Sequence, residues 1–303
     1  MQTTSHLLMM SPARFGYNAE TAVNNAFQLA APQAGVQEEA LKEFNHFAAL
    51  LQAEGMDVLV IPDTPEPHTP DSIFPNNWVS FHADGTVCLY PMFAPNRRIE
   101  RNPAILNILS QRFFISRVVD LSIRENENRF LEGTGSMVLD RVSRIAYAGI
   151  SPRTDKQALL EFCDTMEYRP VIFDTVARGG PVYHTNVMMS IAETYAVVCL
   201  EAVSQKRQRQ ELEQSLASSG KALIEISIDQ MNHFAGNMLQ VNDEANRKAL
   251  IMSTGAYQSL TRAQADALES FNRIIHAPLP VIEANGGGSA RCMIAEIHLP
   301  LLK

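Results

Sequence analysis

Asn186-Val-Met-Met-Ser190 sets one polar side chain before a short apolar run, and the same pattern recurs at four other places. The copies are Asn77-Trp-Val-Ser-Phe81, Ser136-Met-Val-Leu-Asp140, Asn237-Met-Leu-Gln-Val241 and Arg291-Cys-Met-Ile-Ala295. Successive starts lie 59, 50, 51 and 54 residues apart, a period of roughly 50 that suits an array of supersecondary units. In the first four copies, turn residues and a second apolar run follow. Ala83-Asp-Gly85 leads into Thr86–Tyr90, Arg141–Arg144 into Ile145–Ala148, Ala192–Thr194 into Tyr195–Leu200, and Asn242–Asn246 into Lys248–Met252. Each pair reads as a β-hairpin.

Amphipathic stretches separate the hairpins: Gln37–Glu54, Ala104–Gln111, Asp155–Glu167, Gln205–Ser219 and Thr261–Ile274. Leu41, Phe44, Ala48 and Leu51 carry the apolar 3–4 spacing of a helix laid on a sheet. A unit of about 50 residues cannot bury a core alone, so the units must share one. The pattern predicts an α/β ring of five blades around a central channel, one domain over residues 1–303. A doubly wound α/β sheet with coincidental similarity is the alternative.

Composition narrows the function. A net charge of -8 argues against nucleic acid or anionic membrane as partner, since both need a basic face. The basic run Lys206-Arg-Gln-Arg209 sits beside Glu201, Glu211 and Glu213 and reads as a solvated helix face. No apolar run reaches the roughly 18 residues of a membrane span. His6-Leu-Leu-Met-Met10, with no Lys or Arg before it, reads as a first strand and not as a signal peptide. Cys88, Cys163, Cys199 and Cys292 form neither a CxxC nor a disulfide framework, which points to a reducing cytoplasm. No metal or cofactor is expected, because no ligand spacing such as HExxH occurs.

A ring of repeats would bring the polar residues that open its strands to one depth. Asp71, Asn77, Glu132, His184, Asn186, Asn237 and Cys292 are therefore read together. Cys292 follows Asn285-Gly-Gly-Gly-Ser289, where three glycines let backbone approach a ligand. That is a position for a nucleophile; alone it would equally suit a flexible turn before a buried cysteine. His184, in Tyr183-His-Thr-Asn186, is its expected proton partner. His233 is the main rival, because it too precedes a repeat strand. Glu132, flanked by Gly133, would be an ordinary turn acid elsewhere. Here it is expected to orient the imidazole or hold N–H groups of a planar substrate.

Asp71-x-x-Phe74-Pro-Asn-Asn77, Leu131-Glu-Gly133, His184-x-Asn186 and Gly286-Gly-Gly-Ser-Ala-Arg-Cys292 occur in this order. Together they resemble the motifs of the guanidino-group-modifying, or pentein, superfamily, and most of all its citrulline-utilisation hydrolases. The resemblance runs from Pro12-Ala-Arg-Phe-Gly-Tyr-Asn18 to Cys292. It implies a five-bladed α/β propeller with a thiol nucleophile at Cys292, a general acid/base at His184 and an acidic partner at Glu132. It further implies that Asp71 contacts the substrate's planar group or α-amino end, and that Arg97 and Arg153 bind its carboxylate. Guanidine-cleaving relatives carry aspartate where this chain has Asn77 and Asn186. A carboxamide pairs with a neutral ureido group through both N–H and C=O, so the departure favours citrulline over arginine.

Hydrolysis of citrulline to ornithine, ammonia and carbon dioxide through a covalent thiol adduct is the activity expected. Arginine or methylarginine hydrolysis, amidino transfer, and a non-catalytic propeller that binds a small ligand are the alternatives. A free thiol ionises near pH ~8.5 unless a positive neighbour intervenes. Neutral citrulline brings no such charge, so protonated His184 or Arg291 is expected to supply it. Homo-oligomerisation is left open by the sequence.

Overall fold

The computed structural model describes residues 1–28 and 35–302. Five three-stranded sheets follow one plan. An inner strand pairs antiparallel with a middle strand, and a parallel outer strand follows a crossover helix. In one unit Val79–Phe81 pairs with Thr86–Leu89, which pairs with Arg117–Asp120. The next three join Val138–Asp140, Ile145–Ile150 and Arg169–Asp174; Met189–Ile191, Tyr195–Val198 and Ala222–Glu225; and Leu239–Asn242, Lys248–Ser253 and Arg273–Ala277. The fifth unit takes its inner strand, Ala295–Glu296, from one end of the chain and His6–Ser11 with Asp57–Pro62 from the other.

Burial orders the strands. Inner strands are wholly buried, whereas outer strands such as Arg117–Asp120 and Ala222–Glu225 are largely exposed. Inner strands also pack between units: 295–296 against 79–81, 138–140 against 189–191, and 189–191 against 239–242. The arrangement is propeller-like, as the repeat predicts.

Crossover helices cover the outside at Val36–Ala53, Pro103–Leu109, Lys156–Thr165, Lys206–Ser218 and Arg262–Glu269. Val36, Ala40, Phe44, Phe47, Ala48 and Leu51 form the buried stripe of the first, each large side chain contributing roughly 1.5–3 kcal/mol by leaving water. Leu51→Ala would cost about 2–5 kcal/mol. Asp155 caps the third by accepting from the N–H groups of Gln157 and Ala158. A capping box of Thr261 and Gln264 starts the last helix, which ends at Glu269 rather than Ile274. The difference has a physical reason: Ile274 belongs to the strand Arg273–Ala277, where buried Ile275 and Ala277 flank exposed His276.

The polar residue of each repeat does not begin a strand. It lies on or beside a single helical turn just before it: Pro75–Asn77, Gly133–Ser136, Thr185–Met188, and the turns at 234–237 and 290–293. Such turns point N–H groups and short side chains toward the axis before the chain enters the sheet.

Candidate active site

Asp71, Asn77, Arg97, Arg153, His184 and Cys292 line one narrow cavity. Residues more than 200 positions apart in sequence meet there: Asn77, His184 and Cys292 ride the turns before inner strands, whereas Arg97 and Arg153 follow middle strands. Cys292 is 2 % exposed and His184 also 2 %, so both are screened from bulk water. The rival His233 is exposed, its Nδ1 2.9 Å from the Asp229 carbonyl, and does not line the cavity.

Glu132 is the electrostatic hub. Its Oε2 lies 2.8 Å from His184 Nε2, 3.5 Å from Arg153 Nη1 and 3.9 Å from Arg97 Nη1. Its Oε1 accepts from the Phe93 N–H at 3.0 Å. Burial would raise this carboxyl, but Arg153, the His184 hydrogen bond and Arg97 outweigh it and hold the group well below the usual carboxylate range. An ionised carboxylate only accepts, so Nε2 must carry the proton, leaving the lone pair on Nδ1. Burial, helped by the two guanidinium groups, pushes His184 down to about 4 despite Glu132.

Asn186 Nδ2 approaches the Cys292 sulfur at 3.5 Å and Asn237 Nδ2 at 3.2 Å. Asn77 Oδ1 accepts from Arg97 Nη1 at 2.8 Å, and Asn77 Nδ2 donates to Asn76 Oδ1 at 3.1 Å. Arg97 forms a two-pronged pair with Glu100, both contacts 2.9 Å, and reaches the Phe74 carbonyl at 3.2 Å. Burial nonetheless raises Glu100 to about 7. Arg153 donates to Asn24 Oδ1 at 2.7 Å and the Thr21 carbonyl at 2.6 Å, and lies 5.0 Å over the Tyr183 ring.

Asp71 is 2 % exposed. Its Oδ2 accepts from Asn18 Nδ2 at 2.8 Å and Thr21 Oγ1 at 3.1 Å. Its buried Oδ1 has no hydrogen-bond partner among the described residues. An orphaned carboxylate oxygen is costly unless a donor meets it.

One expectation needs extending and another needs correction. The three glycines do more than let backbone approach a ligand: Gly286 and Gly288 line the cavity, and both are also tightly packed. A Cβ on Gly286 would stand 2.7 Å from the Phe74 ring, and one on Gly288 3.0 Å from it. Gly287, at φ +64°, caps the preceding helix, and its carbonyl accepts from the Tyr183 hydroxyl. Their close packing fixes Cys292. Arg291 is not free to act on the sulfur: its guanidinium is spent on Glu296 at 2.7 Å and the Ile294 carbonyl at 2.9 Å. Asn18, Thr21, Asn24 and Asn25 reach the site from a segment without periodicity, and Tyr183 stands beside the histidine.

Residues 11–299 match the family described as "N,N dimethylarginine dimethylhydrolase, eukaryotic". No curated protein matches the chain by sequence. Among solved structures it resembles ArgZ, an arginine dihydrolase from the ornithine–ammonia cycle in Cyanobacteria, at 18% identity and TM-score 0.78. That likeness covers 98% of this chain but 41% of the other, so the chain spans less than half of that relative. It spans 99% of the ArgZ N-terminal domain alone, in a variant covalently bound to a reaction intermediate, again at 18% identity and TM-score 0.78. DDAH from Pseudomonas aeruginosa, a cysteine-to-serine mutant complexed with citrulline, is also 18% identical, with TM-score 0.68 over 98% of this chain and 100% of that one. These structural likenesses speak for the fold. Among the described residues no helix is long and apolar enough to cross a membrane.

Proposed function

The chain belongs to the N,N dimethylarginine dimethylhydrolase family, within the pentein superfamily, and from that premise we propose a cysteine hydrolase acting on citrulline. One observation carries the reading. Cys292, the Glu132-oriented His184 and the unpartnered oxygen of Asp71 face the same cavity, beside carboxamides rather than extra carboxylates.

In this mechanism Cys292 attacks the ureido carbon, forming the S–C bond as the C–N bond to the departing nitrogen breaks. His184 first takes the Cys292 thiol proton and delivers it to that nitrogen, then takes one from the water that displaces the sulfur and returns it to the freed thiolate. Ornithine leaves first, and the carbamoyl fragment ends as ammonia and carbon dioxide. Asp71 receives a substrate N–H. Asn186, its side chain next to the sulfur, offers the neutral ureido group a donor and an acceptor. Arg153 takes the α-carboxylate, exchanging its contacts with Thr21 and Asn24. Arg97, with its donors committed to Glu100 and Asn77, positions the floor of the site.

Asp71 also supports a second reading, since its free oxygen would suit the cation of arginine or a methylarginine. A panel of citrulline, arginine, methylarginines and agmatine, read by ornithine and ammonia, separates the two. Citrulline is expected to give both products; much faster ammonia release from arginine overturns the citrulline assignment.

A further inference from the structure

Asn237 lies in the tight turn 234–237, which two backbone features build. Phe234 adopts φ +62°, and Asn237 N–H returns to the Phe234 carbonyl at 2.8 Å. Gly236 lets the turn press onto the neighbouring unit: a Cβ there would stand 2.3 Å from the Val187 carbonyl oxygen and 2.7 Å from the Met188 carbonyl carbon. That approach brings the Asn237 side chain, 0 % exposed, against the backbone of Asn186 and the sulfur of Cys292.

Three contacts determine which way the amide faces. Its Oδ1 accepts from the Arg291 backbone N–H at 3.1 Å. Its Nδ2 donates to the Asn186 carbonyl at 2.8 Å and to Cys292 Sγ at 3.2 Å. The flipped amide would set oxygen against carbonyl oxygen and N–H against N–H, so the donor end is held on the sulfur. Asn186 Nδ2 adds a second, longer approach at 3.5 Å.

The cations nearby are occupied. Arg291 is tied to Glu296, Arg97 to Glu100, and Arg153 to Thr21, Asn24 and Glu132. His184 is neutral at physiological pH. A neutral substrate brings no charge of its own, so an anionic sulfur here has to be held by oriented N–H groups.

We propose that Asn237 is a catalytic residue whose side-chain amide stabilises the Cys292 thiolate, suiting the site to an uncharged ureido substrate. The proposal rests on the cysteine-hydrolase reading above. N–H donors fixed on a developing anion act without reorganising, and hydrogen bonding to the charged form favours that form.

Asn237→Asp tests it, because the carboxylate keeps the shape and the bond from Arg291 but turns an acceptor toward the sulfur. The readout is Cys292 alkylation by iodoacetamide against pH, without substrate, with Cys292→Ala as the blank. The half-point should move up by about 1 pH unit or more, and kcat should fall about 10²–10³-fold with KM little changed. An unshifted alkylation profile overturns the proposal even if thermal stability drops, since a purely structural role would move stability alone. If Asn237→Asp does not fold, Asn237→Ser replaces it, with the same upward shift expected and an unshifted profile again refuting the idea. Turnover that survives in Cys292→Ala would instead sink the hydrolase reading. A shifted profile in a protein that hydrolyses nothing on the panel would leave Asn237's role standing and the function wrong.

Discussion

His184 Nε2 and Arg153 Nη1 share one oxygen of Glu132, at 2.8 Å and 3.5 Å. The guanidinium keeps the carboxylate ionised, and the ionised carboxylate keeps the imidazole proton on Nε2. Glu132→Gln removes both constraints, because an amide can present N–H to Nε2 and select the other tautomer. Loss of a correctly presented general base costs about 10²–10⁴-fold. We expect a kcat fall of that size, with KM changed less, in steady-state assays on citrulline.

Acid should destabilise the fold through its buried histidines. Burial pushes His184 and His298 down to about 4 and His82 well below its usual range, with Arg141 adding to the effect at the last two. In the unfolded chain these groups protonate near ~6.5, so between about 6.5 and 4 the unfolded state binds more protons. Their contribution is complete above ~6.5 and is lost as pH falls toward 4. Glu100, raised by burial to about 7, works the other way and offsets part of the effect. Tm should therefore fall on acidification across this window, and His298→Gln should flatten the slope. A Tm constant from pH 7 to 4.5 would contradict this account.

Thiol chemistry should single out one cysteine. Burial pushes Cys88 and Cys163 up to about 12 and Cys199 to about 11, in positions where they act as small apolar side chains. Under mild conditions one equivalent of reagent should label Cys292, and substrate should block it. Cys292→Ser and His184→Ala should each abolish turnover, whereas Cys88→Ser should keep it. Mass spectrometry of the labelled chain, with activity assays, checks each point.

Much of this was legible in the sequence because the repeat has a physical cause. Every inner strand needs a polar turn before it and an apolar run within it, so Asn77, Asn186 and Asn237 stand in register. The outer strands were harder to see. Arg117–Asp120 is mostly exposed, so its composition carries no burial signal. Nor could spacing show that Arg97 is engaged by Glu100, since an arginine three residues from a glutamate suits a surface turn as well as a buried pair. The short helix Ala19–Ala22, capped by Asn18, supplies the partners of Asp71 through tertiary contacts alone.

Asp71 should act on binding more than on chemistry. Asp71→Asn keeps the shape but removes the charge, and its amide would point a donor where the orphaned oxygen now waits for one. A site built to accept an N–H discriminates against a partner that mismatches it. KM should rise at least ~10-fold with a smaller change in kcat. An unchanged KM would mean that Asp71 does not touch substrate.

Gly135 tests whether the histidine's position depends on its packing. A Cβ there would stand 2.5 Å from Asn77 Nδ2 and 2.8 Å from His184 Nδ1. Gly135 has no left-handed φ, so alanine would suffer a collision and not backbone strain. Neither neighbour yields easily: Glu132 anchors the imidazole and Arg97 anchors Asn77. Overpacking of this kind costs about 1–3 kcal/mol, and a shift of well under 1 Å at Nδ1 would misalign proton transfer. Gly135→Ala should therefore lower kcat by at least ~10² while the protein still folds. Gly220→Ala, at a surface turn where a Cβ meets nothing within 4 Å, should lose stability through its φ of +74° but keep its kcat. Equal kcat values for the two variants would show that the imidazole is not held in place by the absence of a methyl group at residue 135.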